Sequence, residues 1–165
     1  VRWSQELERR NASRLPVEVG THATVDELVS ALGASRNQIC DWTRALLPQV
    51  TISDRKVLKI VTPTVKELGF TSKRTSIKDI HARGIALGYV LVPSDFALSF
   101  RLAYPDQPTG EVIAMAMKAL KHPDGGLDLF SVACRSDGRF VDGSRGYPES
   151  RYHLDCRFAF VVPQA

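Results

Sequence analysis

FALSFRLAYPDQPTGEVIAMAM, residues 96–117, is the stretch on which the reading of the fold turns. Two apolar runs flank a polar segment, YPDQPTGE (104–111), and LSFRLAY and EVIAMAMKAL both read as strands. On that reading PDQPTG joins them: Pro105 and Pro108 stiffen the connection, Gly110 permits an unusual backbone angle, and Thr109 bonds locally. Arg101 and Glu111 then stand at neighbouring strand ends as a cross-strand ion pair, with Asp106 and Gln107 at the tip. The same residues, with Tyr104, can instead form the polar wall of a ligand site at a sheet edge. Arg101, Tyr104, Asp106, Gln107 and Glu111 are therefore the candidate binding residues. A hydrolase-like use of Asp106 and Glu111 as acid and base is the enzymatic alternative, although no nucleophile motif or metal cluster accompanies them.

Beyond this segment the C-terminal half continues as strand-like runs: YVLVP before it, then LDLFSVACR, GRFVD and CRFAFVVP. The segments between them, HPDGG, SDG and DGSRGYPES, are rich in turn residues. Upstream the periodicity is helical. Thr24 and Glu27 have capping-box spacing ahead of TVDELVSALG, and SRNQICDWTRALL predicts a second helix capped by Ser35, with Ile39, Trp42 and Leu46 facing inward and Pro48 ending it. VTISDRKVLKIVTPT reads as a short strand or hairpin, and SIKDIHARGIALG as a helix capped by Thr75 or Ser76 and closed by Gly88. The expected fold is α+β: an N-terminal helical part followed by a mainly antiparallel β-sheet with a covering helix. Residues 1–16 are read as an arm or first helix, 17–62 as a helical subdomain and 63–165 as the sheet domain, the last two forming either two domains or one.

The two helices predicted within residues 24–47 have the order of a helix-turn-helix, with Gly33 between them. A DNA reader of that kind would present Arg36, Asn37, Gln38 and Arg44 to the major groove, beside the unfavourable Asp41. The opposing reading is that two short packed helices serve as scaffold.

ELGF (67–70), DIHARGIALG (79–88), FRLAYPDQPTGE (100–111) followed by IAMAM (113–117), and RFAF (157–160) together resemble an uncharacterised family of small bacterial proteins with ELGF, DIxAR and LRLxYxDQPxGE motifs. Two departures stand out: Tyr152 where the family pattern has tryptophan, and HPDGGLDLF in place of a DSDG hairpin. The resemblance implies a shared fold and supplies no activity.

With 165 residues, 44% of them hydrophobic and 24% charged, the chain has the composition of an ordinary globule. A net charge of +4 suits an acidic partner without demanding one. Cys40, Cys134 and Cys156 are odd in number and far apart, which argues against a disulfide framework and for a reducing, cytoplasmic setting. No apolar run is long enough for a membrane span and no signal peptide is evident. The expectation is a non-catalytic binding or protein-interaction module with a protein or small-molecule ligand, nucleic acid being the alternative partner. No cofactor and no metal are expected.

Overall fold

A computed structural model describes residues 16–164, so the arm or first helix expected over residues 1–16 lies almost wholly outside the described residues. The fold is α+β, and its centre is a helix where a strand was expected. Phe96–Ala103 (α4) is helical, and Phe96, Ala97, Leu98, Ser99, Phe100 and Arg101 along it are all buried. Alternation of Phe96, Leu98, Phe100 and Leu102 imitates a strand, but a helix enclosed on every side has no polar face to reveal its true period. Its N-terminus is anchored from outside. Asp95, fully buried, accepts from the Ser53 amide (2.8 Å) and hydroxyl (2.7 Å) instead of capping its own helix, and Ser94 accepts from the Thr51 amide at 3.0 Å.

Around α4 curls one mixed sheet. In chain order its strands are β1 (Val17–Val19), β2 (Asn37–Ile39), β3 (Lys56–Val61), β5 (Val112–Met115), β6 (Leu120–Lys121), β7 (Leu127–Arg135), β8 (Gly138–Arg145) and β10 (Arg157–Val162). Their spatial order is β1-β3-β10-β5-β7-β8-β2, with β6 flanking β7. The β10–β5 and β2–β8 pairs are parallel and the remaining pairs antiparallel. A separate antiparallel ribbon joins β4 (Arg74–Ser76) to β9 (Arg151–His153). Two further helices are α1 (Val25–Ala34), which contacts α4, and α3 (Ile77–Ala86). Segment 17–62 gives three strands to the large sheet, and a single apolar cluster runs from Val17 to Val162. One core therefore serves the whole described chain.

The predicted second helix over SRNQICDWTRALL does not form. Ser35 ends α1 instead of starting another helix: its amide and its hydroxyl both donate to Ala31 O. Arg36 then adopts a left-handed conformation (φ 63°), Asn37 donates to the Ser35 hydroxyl at 3.0 Å, and Asn37–Ile39 runs as β2 beside Arg139–Val141. Only one helical turn follows, α2 (Asp41–Arg44). The helix-turn-helix is thereby replaced by a helix, a tight turn and an edge strand, with no recognition helix to enter a groove.

Local signals elsewhere hold. Thr24 accepts from the Glu27 amide (3.2 Å) while the Glu27 carboxylate accepts from the Ala23 amide (3.1 Å). Ser76 caps α3 through the Asp79 amide, and Gly88, at φ 94°, follows its end. The longest ladder is the β7–β8 hairpin, in register from Asp128↔Arg145 to Arg135↔Gly138 around the SDG turn.

Within α1, Gly33 has nothing within 4 Å of the position a Cβ would take and no positive φ. Gly33→Ala is therefore expected to stabilise the protein by about 0.5–1 kcal/mol, since alanine restricts the unfolded chain and favours helix. Thermal melting checks it: an upward shift of about 1–4 °C is expected for a chain of this size.

Candidate functional site

Residues 101–111, the site expected from sequence, fold into a latch between α4 and the sheet, with Arg101 and Gln107 buried and the turn around Asp106 exposed. Arg101 is fully buried on the last turn of α4, so it cannot be a strand-end partner of Glu111. Its guanidinium donates from Nη1 to Gln107 Oε1 and to Ala133 O (3.1 Å), and from Nη2 to Tyr104 O. Gln107, also buried, donates from Nε2 to Val132 O and Glu111 O, both at 3.2 Å. Glu111 accepts from the Tyr104 hydroxyl at 3.0 Å, and the Tyr104 ring stacks on Phe100 at 5.5 Å between centroids. The Gly110 amide donates to Cys134 O (2.7 Å) and the Cys134 amide to Glu111 O (3.1 Å), which splices the segment onto β7.

Most polar groups of the segment thus serve another part of the same segment or the β7 backbone; buried Arg101 Nε has no hydrogen-bond partner among the described residues. Burial, with the charge of Arg139 second, lowers the Arg101 guanidinium to about 10, a sign that the site tolerates this charge for the bonds it makes. Asp106 is exposed on the turn, apart from this network. The latch accounts for the conspicuous residues of YPDQPTGE as structure. Asp106 and Glu111 do not share a cleft among the described cavities.

The proposed DNA-reading residues are also dispersed. Asn37 is buried in β2, Gln38 reaches Asp137 O at 3.4 Å, Arg36 holds the tight turn, and Arg44 is exposed at the end of α2.

A different set of residues meets in an open cleft of about 590 Å³ formed where α2, the start of β7, the end of β8 and the β4–β9 ribbon converge. Its aromatic wall is Trp42, expected in the core but 49% exposed. The indole is held on two sides. Its Nε1 donates to Asp128 Oδ2 at 2.9 Å, and the His122 ring stacks on it at 3.6 Å with only 9° between planes. Asp128 is buried at the start of β7, and Gly146 lets β8 pass close enough to hold it there, since a Cβ at 146 would come within 2.8 Å of the Asp128 carbonyl carbon. His122 is fixed in turn by Asp124, whose Oδ1 lies 3.1 Å from Nδ1 and also accepts from the Gly126 amide at 2.8 Å.

Three arginines also line the cleft. Arg145 ends β8, while Arg74 and Arg151 belong to the β4–β9 ribbon, where Arg74 pairs with His153 and Arg151 with Ser76. Among the described residues none of the three guanidinium groups has a hydrogen-bond or ion-pair partner. By contrast, Arg135 is occupied by Asp142 and the Phe140 ring, and Arg139 by Ser35 O (2.7 Å) and Pro105 O (3.2 Å). The Tyr152 hydroxyl, which burial pushes up to about 12, donates to Arg145 O at 2.6 Å and so fixes the backbone beneath that side chain. Tyr147, 39% exposed, closes one side of the cleft over Gly126, where a Cβ would meet its hydroxyl at 3.3 Å.

This second site was poorly marked in the sequence. Trp42 reads as one member of an amphipathic helix, and Asp128 as the second residue of the strand-like run LDLFSVACR. The available signal was SRGYPESR (144–151), two arginines around a tyrosine in a stretch that otherwise reads as a connection. Histidine, cysteine and carboxylate side chains form no group of three suited to a metal ion among the described residues. Nor does any described helix have the length and apolarity to cross a membrane. No protein-family model, curated protein or solved structure matches this chain.

Proposed function

We propose that this protein is a non-catalytic binding module whose ligand occupies the cleft between Trp42 and the arginines at 74, 145 and 151. One observation carries the reading: an exposed indole fixed by a buried carboxylate and a stacked imidazole lines one cleft with guanidinium groups that have no partner among the described residues. Holding an aromatic side chain rigid before a ligand arrives reduces the entropy lost on binding. Unpaired arginines add a fork-shaped set of donors for an anion, and their charge is consistent with the positive balance of the chain. The contact site expected at Asp106–Glu111 gives way to this cleft because the latch uses its own donors and acceptors. The three free thiols fit a reducing compartment, and the cytoplasm is the proposed location.

An aromatic anion tests the cleft without knowledge of the natural ligand. The chain has two tryptophans, so Trp3→Phe leaves Trp42 as the sole indole reporter. Naphthalene sulfonate is expected to change its fluorescence saturably with one-site behaviour. The double variant Arg145→Glu, Arg151→Glu, both positions being exposed, should retain the fold by circular dichroism and lose that response. A non-saturable response, or one indifferent to the two charge reversals, would refute the cleft as the binding site.

A further inference from the structure

Resting on that cleft reading, we infer that the ligand is a nucleotide unit, with its base on the aromatic wall formed by Trp42 and Tyr147 and its phosphate on the arginine wall formed by Arg74, Arg145 and Arg151. Three features of the cleft lead to this chemistry. First, the exposed indole and phenol offer π-surface, and stacking a base on such a ring is worth about 1–3 kcal/mol whatever the base. Second, the basic residues lining the cleft are arginine rather than lysine at all three positions, and the planar fork matches two phosphate oxygens at once. Third, the cleft also holds three carboxylates, Asp124, Asp128 and the exposed Glu149, and among the described residues none of them is paired with the three arginines. Asp124 is engaged with His122 and the Gly126 amide, and Asp128 gives one oxygen to Trp42. The other, Oδ1, is not taken by that bond, and as an acceptor of a cleft-lining residue it suits a ribose hydroxyl or a base amino group.

The volume agrees. A cavity of about 590 Å³ lies in the ordinary range for small-molecule sites. A free anion such as phosphate would leave the aromatic wall unused, and an uncharged aromatic would leave three unpaired guanidinium groups. A nucleotide uses both walls. Its source is either a free mononucleotide or the phosphorylated end of a single strand, and these share one chemistry in the cleft.

Competition calorimetry on the full chain tests the inference. The probes are AMP, GMP, CMP, UMP, adenosine, ribose phosphate, inorganic phosphate, and single-stranded oligonucleotides with and without a terminal phosphate, each against bound naphthalene sulfonate. At least one mononucleotide or end-phosphorylated strand is expected to displace the sulfonate, binding about tenfold or more tightly than ribose phosphate or adenosine, because each lacks one wall's partner. Arg145→Glu with Arg151→Glu should weaken it about tenfold or more, the loss of a charge-assisted contact. Trp42→Phe, which keeps a stacking ring, should weaken it less than Trp42→Ala. Tight binding that depends on the terminal phosphate of an oligonucleotide assigns a strand end; equal or better binding of the mononucleotide assigns a free nucleotide. Two results overturn the inference while the cleft stands: ribose phosphate binding as well as any nucleotide, or sulfonate binding that no nucleotide or strand displaces. Failure of the sulfonate itself to bind removes the cleft reading and this inference together.

Discussion

Arg101→Met is expected to destabilise the protein by about 2–4 kcal/mol, seen as a lower urea midpoint at unchanged slope. The side chain fits the space but donates nothing. Gln107 Oε1, Tyr104 O and Ala133 O lose their guanidinium donor in a region closed to solvent, and each buried acceptor left without a partner costs about 1–3 kcal/mol. Removing a desolvated charge returns part of that cost, which is why the expected loss is less than the sum. Asp106→Ala, at an exposed position of the same segment, should stay within about 0.5 kcal/mol of the parent. Both variants, while folded, should bind naphthalene sulfonate like the parent. A stable Arg101→Met protein that has lost binding would return the functional site to residues 101–111.

Gly84→Ala carries the second large effect, and in the opposite sense to Gly33→Ala. On α3 the new methyl would lie 2.2 Å from Phe160 Cε1 and 2.4 Å from Cζ. Phe160 is fully buried in β10, so its ring has no open side to move into. Alanine gains about 1 kcal/mol in helix propensity over glycine. Overpacking a closed core costs about 1–3 kcal/mol and sometimes more. With the ring closed in, the net expectation is a loss of about 1–2 kcal/mol, read as a lower melting temperature. Phe160→Leu in the Gly84→Ala background should recover part of it, and the coupling in that double-mutant cycle measures the clash directly. Additive effects would show that α3 shifts away from the sheet instead.

The contrast between these two glycines also marks what can be read without a structure. Both sit in helical patterns of similar quality, DELVSALGA and DIHARGIA. Nothing local distinguishes the open one from the one pressed against a phenylalanine 76 positions along the chain, because the difference lies in what packs across the helix.

Signals carried by neighbours in the chain were legible. The Thr24 and Ser76 caps, the Gly88 stop, the SDG hairpin and the α+β order each depend on contacts within a few residues. Alternation and helical period failed where burial was complete or the element too short: α4 reads as a strand because it has no wet side, and Asn37–Ile39 reads as helix because three residues are too few to establish a period. The residues of the latch could be named from sequence, though not their role, since a buried network and a ligand wall use the same polar types. Tertiary structure alone decided that Arg101 turns inward to bind its own chain, and that Trp42, Asp128 and the arginines at 74, 145 and 151, spread over 110 residues, line one cleft. Local sequence sets a residue's preferences within its own turn; which distant residues share a cavity depends on how the sheet curls around α4.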